Sequence, residues 1–182
     1  MVWHLLFGSI SRRKIGQAIY RSAVERARNP IFYREFNVSD SLDGRFDMIV
    51  IQVFLILHRL KKGSWQARRL SQEVFDAMFT DMDRSLREIG VGDLSVGRKV
   101  KTMAKALYGR IIHYDKGIQV QGEALAEALV RNLYRGQQPK TEVLTAMVHY
   151  VRNSSLLLDQ QSEGEILKGY IDWGPYPVFH QT

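Results

Sequence analysis

Residues 75–110 read FDAMFTDMDRSLREIGVGDLSVGRKVKTMAKALYGR, and the spacing within this stretch decides the fold. Phe75, Met78, Phe79, Met82, Leu86 and Ile89 recur at intervals of three and four, the period of one apolar stripe on a helix. Asp83 and Arg87, and Arg84 and Glu88, stand four apart and can pair along its solvated surface. Gly90 and Gly92 then interrupt the pattern, where glycine can take the left-handed conformation that closes a helix. Ser95 is placed to cap a second helix with the stripe Val96, Val100, Met103, Leu107 and Ile111. Two amphipathic helices joined by a tight glycine turn must bury their stripes, so the spacing predicts a scaffold hairpin.

Upstream, residues 48–57 contain one polar side chain, Gln52, and the run continues through His58, Arg59 and Leu60. That is too long for a typical strand and no partner strand follows, so residues 43–60 are expected to form a central helix. A membrane span needs about 20 apolar residues, and this run is half that. Each large apolar side chain gains roughly 1.5–3 kcal/mol on full burial, which makes this helix the core. Before it, Ile19, Tyr20, Ala23, Val24 and Ala27 predict a helix over residues 15–28, stopped by Asn29-Pro30. Phe32, Tyr33 and Phe36 are expected to pack a connector onto the core.

Lys61-Lys62-Gly63 turns the chain into a helix from Ser64, and the hairpin is expected to end near Lys116. Residues 123–134 predict a short helix closed by Arg135-Gly136. Thr141 is placed to cap a further helix with the stripe Val143 or Leu144, Met147, Tyr150 and Val151, which fades near Asn153-Ser154-Ser155. Leu156 and its neighbours to Leu158 are expected to go on packing, and an irregular tail with aromatic anchors follows Ser162. The expected architecture is all-α: a single domain of six or seven helices over residues 15–182, preceded by a segment at 1–14. In that segment Trp3, Leu5, Leu6 and Phe7 precede Arg12, Arg13 and Lys14, which suits either a membrane-interfacial anchor or docking on the domain.

The chain has 182 residues, 45% of them hydrophobic, no cysteine and a net charge of +7. This size holds one ordinary core. The missing cysteines remove disulfides, thiolate nucleophiles and cysteine metal sites, and fit a reducing compartment. Residues 1–14 lack the order of a secretory signal, since the basic residues follow the apolar ones. The basic balance suits RNA, anionic lipid or an acidic protein.

No catalytic constellation emerges. Gly92 to Lys99 has the glycine spacing of a phosphate-binding loop, but Arg98 and Lys99 replace its lysine and hydroxyl, and a helix leads in where a strand is required. The five histidines are scattered, with none paired at i+3 or i+4, so no metal site or cofactor is expected. Asp81 and Asp83 are two apart and face different ways, which argues against an acid–base pair. What remains is a basic face on the second hairpin helix, Arg98, Lys101 and Lys105 with Tyr108 beside them.

The run from Phe79 to Met103, together with Tyr108-Gly109-Arg110 and the upstream Asp43-Gly44-Arg45-Phe46-Asp47, resembles the ubiquinol–cytochrome c chaperone family in order and spacing. The similarity covers residues 15–134, with Ser39 where a proline would be expected and no signature after Pro139. The resemblance implies a non-enzymatic assembly factor that holds newly made cytochrome b before it joins the ubiquinol–cytochrome c reductase. It places the partner contact at Asp43, Arg45, Asp47, Asp81, Asp83, Arg87, Asp93, Lys99, Lys101, Tyr108 and Arg110. A bacterial, cytoplasmic protein at the inner membrane face is expected, or a mitochondrial matrix protein for a trimmed organellar homologue. The alternatives are a basic RNA- or ribosome-binding module, without DNA, and a peripheral membrane adaptor touching anionic lipid.

Overall fold

A computed structural model describes residues 2–120 and 122–177, with side chains from residue 11 onward. In chain order the helices are α1 (Val2–Ala27), α2 (Ile31–Arg34), α3 (Leu42–Lys61), α4 (Trp65–Glu88), α5 (Asp93–Gln119), α6 (Ala124–Asn132), α7 (Thr141–Gln160) and α8 (Glu163–Ile166). No strand occurs among the described residues, and α2 and α8 are single turns. No described helix is long and apolar enough to cross a membrane.

The central helix is α3. Ser41 caps it, its hydroxyl accepting from the Gly44 amide at 3.1 Å, and Asp43 places a negative charge in the first turn where the helix dipole favours one. Every residue from Val50 to His58 is buried. The helix packs against α1, α4, α5 and α7, so it is apolar nearly all round, as a surrounded helix must be. Its one buried amide, Gln52, accepts through Oε1 from the Tyr150 hydroxyl on α7 at 3.0 Å.

The hairpin forms as α4 and α5. Leu70, Val74, Met78 and Met82 of α4 are buried, with Phe75 and Phe79 half-buried beside them. Ile89, the last member of the expected stripe, is 63% exposed, because the helix has already ended at Glu88 and Gly90 turns the chain at φ 85°. Ser95 does not cap α5. Gly92 does so, its carbonyl accepting from Ser95 and Val96, which starts the helix three residues early with Asp93 in its favourable first turn.

Other boundaries shift for similar local reasons. α1 begins at Val2, not Ile15: residues 2–14 change in composition but contain no proline to stop a helix. The interfacial or docking role expected of Trp3, Leu5, Leu6 and Phe7 lies outside the described side chains. Lys140, not Thr141, occupies the cap of α7, and α5 runs on to Gln119. α7 continues through Asn153-Ser154-Ser155 to Gln160, burying the two serines, while Leu156 and Leu157 turn outward and only Leu158 packs. The small serines let α7 stay close to its neighbours where larger residues would hold it off.

Past α8 the tail is extended and anchored. Trp173 Nε1 donates to Ser22 at 2.6 Å, and the buried Arg26 guanidinium donates to the carbonyls of Trp173, Gly174 and Pro175 with the Tyr176 ring 3.8 Å away.

Candidate functional site

Most of the acidic and basic residues singled out in the sequence serve three internal clamps. The first joins α3 to α5. Asp43 and Asp47 lie four apart at the start of α3, and the Asp47 side chain is 1% exposed. Arg110 Nη1 stands 2.8 Å from its Oδ1, while Arg135 Nε donates to its Oδ2 at 2.8 Å and Arg135 Nη1 reaches Asp43 at 2.9 Å. The Arg110 contact is one of charge, since Oδ1 has no aligned hydrogen-bond donor. Burial pushes the Asp47 carboxyl above the ordinary carboxylate range, against the opposing pull of Arg110 and then Arg135.

The second clamp holds α4 on α1: Asp81 accepts from the Tyr20 hydroxyl at 2.8 Å and pairs with Arg84 one turn on. The third closes the hairpin turn. Arg87 pairs with Asp83 at 2.6 Å on its own helix and with Asp93 on the next, tying the last turn of α4 to the first of α5. Arg45 stands apart from all three, exposed and paired with Asp40 at 2.6 Å.

Arg135 was not among the residues singled out. Its signal lay in Asp43 and Asp47, two acids on one helix face with only Arg110 as a named cation. It sits just past α6 with φ 54°, followed by Gly136 at 81°, and this left-handed turn swings its side chain back to α3.

Lys99, Lys101 and Tyr108 remain on the outside of α5, and the helix gives two of them a setting. Leu94, Arg98, Lys101, Lys105, Tyr108 and Ile112 recur at three and four residues, and all six are exposed. Leu94 is 97% exposed and Ile112 65%. This stripe lies opposite Val96, Leu107 and Tyr114, which are buried. Three cations therefore stand between exposed apolar side chains, of which Tyr108 also meets the Phe75 ring of α4 at 5.3 Å. The glycine segment that mimics a phosphate loop is helical here, with Gly97 inside α5. Among the described residues no group of three or more His, Asp or Glu could hold a metal.

A family model described as ubiquinol-cytochrome C chaperone matches residues 34–173. The ubiquinol-cytochrome-c reductase complex assembly factor 1 of Xenopus laevis is 27% identical over 158 residues, covering 86% of this chain and 79% of that protein. Its counterpart in Homo sapiens is 25% identical over 158 residues, and the match spans 53% of the human protein. A crystal structure of the Cbp3 homolog from Brucella abortus superposes with a TM-score of 0.81 at 32% identity, covering 95% of this chain and 98% of that one.

Proposed function

The chain belongs to the ubiquinol–cytochrome C chaperone family, and on that premise we propose that it is a non-enzymatic chaperone binding newly synthesised cytochrome b during assembly of the ubiquinol–cytochrome c reductase. The observation that carries this reading is the outward stripe of α5, where Arg98, Lys101 and Lys105 lie between exposed Leu94, Tyr108 and Ile112. An apolar surface held in water is a contact waiting for a partner, and cations along it favour a segment carrying acidic residues. The client contact is placed on this stripe and on Lys99. Asp43, Asp47, Asp81, Asp83, Arg87, Asp93 and Arg110 support it from within by fixing the angle of the hairpin. Arg45, exposed beside Asp40, contributes to the rim.

The chaperone is placed at the inner face of the membrane into which its client inserts, with residues 1–14 contributing weak contact with anionic lipid. The test is capture of cytochrome b by the tagged chain. Lys101→Glu with Lys105→Glu should abolish capture and leave the far-ultraviolet circular dichroism unchanged; normal capture by this double variant removes the stripe from the contact.

The same cations support a second reading, binding to ribosomal RNA near the site of client synthesis. That contact would weaken steeply with salt, each neutralised phosphate contributing about 0.7–0.9 to the slope of log affinity against log salt. A client contact anchored by Leu94 and Ile112 would change far less.

A further inference from the structure

Exposed cations from α1 and α4 gather at one end of the molecule. Gly16 packs so closely on α4 that a Cβ there would meet the Glu73 Cβ at 2.6 Å, and Tyr20 reaches Asp81 at 2.8 Å. The two contacts follow the same order along both helices, so α1 and α4 run parallel. Arg13 and Lys14 therefore stand level with the first turns of α4, which carry Arg68 and Arg69, and all four are exposed. The turn at residues 62–64, and Gly169 set against Ile15, bring Lys62, Lys168 and Tyr170 to the same end.

Two aromatic side chains stand in water among these cations. Trp65 opens α4 at 57% exposure, its ring 5.3 Å from the Arg69 guanidinium, and Tyr170 is 69% exposed. The nearby carboxylates do little to neutralise the patch. Asp115 is engaged by Lys61 and Asp159 by Lys62, while Glu163 accepts from the Ser64 amide at the start of α4. Among the described residues, Arg13, Lys14, Arg68, Arg69 and Lys168 have no carboxylate at ion-pair distance, with Glu73 and Glu165 the acids left beside them.

We propose that this end of the fold docks on an anionic bilayer surface, the cations meeting headgroup phosphates while Trp65 and Tyr170 enter the headgroup layer. Trp and Tyr favour that layer because each ring is apolar with one polar handle, and each Lys or Arg near an anionic surface adds about fivefold in affinity. RNA would use the same cations, but the helix continuing from this end favours lipid. α1 runs past the start of α4 to Val2, and residues 2–7 read VWHLLF, apolar apart from His4. Such a run suits acyl chains and offers nothing to a phosphate backbone.

The inference rests on the membrane placement in the chaperone reading and adds the surface of the folded body that makes the contact. Standing on its first turn, the 24-residue α4 holds the turn at Gly90 about 36 Å from the bilayer. The α5 stripe then runs outward, Ile112 nearest the membrane and Leu94 farthest, because Asp115 meets Lys61 at the docking end.

The test floats the full chain with vesicles of phosphatidylcholine alone and of phosphatidylcholine mixed with phosphatidylglycerol. The native chain should bind the mixed vesicles and leave the neutral ones. Arg68→Glu with Arg69→Glu should weaken that binding by about thirtyfold or more, without changing the far-ultraviolet circular dichroism or capture of detergent-solubilised cytochrome b. In Trp3→Phe, brominated lipid should still quench tryptophan emission, and adding Trp65→Phe should remove the quenching. Full vesicle binding by the Arg68, Arg69 variant overturns the proposal. So does quenching that disappears with Trp3→Phe alone, since residues 1–14 would then be the whole contact. If the Arg68, Arg69 variant loses a single-stranded oligouridine but keeps the vesicles, the patch belongs to RNA and the proposal falls. A native chain that ignores both vesicles yet captures cytochrome b removes the docking end and leaves the chaperone reading standing. Vesicle binding without capture keeps the docking end and removes cytochrome b as the client.

Discussion

Arg135 reaches back 88 residues to place its Nε 2.8 Å from Asp47 Oδ2, while Arg110 on α5 holds the other oxygen. One buried carboxylate thus ties α3 to α5 and to the turn after α6, behind the face on which Lys101 and Tyr108 stand. Asp47→Ala should therefore cost about 3 kcal/mol, because it leaves Arg110 at 18% exposure facing an empty site. Urea denaturation measures this directly. A cost below about 1 kcal/mol would mean that the pairing merely offsets desolvation.

The same clamp separates two classes of variant on α5. Arg110→Ala should lower stability and client capture together, since it breaks the Asp47 pairing. Lys101→Glu should lower capture alone. Measuring both properties for each variant checks the distinction, and a stable Arg110→Ala chain with lost capture would place Arg110 in the contact itself.

Two glycines should respond in opposite directions. A Cβ at Gly44 would run into the Ser39 carbonyl, so Gly44→Ala should cost roughly 1–3 kcal/mol and lower Tm by several degrees. At Gly97, inside α5, a Cβ meets nothing within 4 Å, and Gly97→Ala should stabilise by about 0.5–1 kcal/mol. Thermal denaturation of the two variants decides it.

Acid should find His58 first. Burial lowers its basicity below that of free histidine, the Asp115 hydrogen bond opposing, so the folded ring stays neutral at a pH where the unfolded one takes up a proton. Stability should then fall as pH drops below about 6.5, across the window between the unfolded and the lower folded value. Asp115 is held below the usual carboxylate range: burial pushes it up, but hydrogen bonds from Lys61 and His58 prevail. Its contribution persists to much lower pH. Denaturation midpoints at pH 7.5 and 5.5 should differ for the native chain and converge for His58→Phe.

The helices were legible for two different reasons: the hairpin follows from the spacing of its stripes, and α3 from the length of its apolar run. Their ends were less so, since a glycine backbone can start a helix as well as a serine side chain, and Gly92 took the place expected of Ser95. The residues of the clamps were legible as a group, but their direction was not. Asp47 and Asp81 differ little in sequence context, yet one is buried between two arginines and the other meets Tyr20. Only the three-dimensional return of Arg135 and Tyr20 distinguishes them. The α5 face was visible as Arg98, Lys101 and Lys105. Its apolar ends, Leu94 and Ile112, went unnoticed because each reads as ordinary helix filling until its exposure is known.

Arg26 on α1 finds its carbonyl acceptors 147 to 149 residues later, in the tail. As the polypeptide emerges, that guanidinium has only the Tyr150 hydroxyl, 3.3 Å from its Nε, to donate to until residues 173–175 exist, and burying it with so few acceptors would be costly. The junction of α1 with the tail is therefore sealed last. A chain cut short before Trp173 would be an unfinished fold with its core ajar, which makes the tail the latch on the whole helical body.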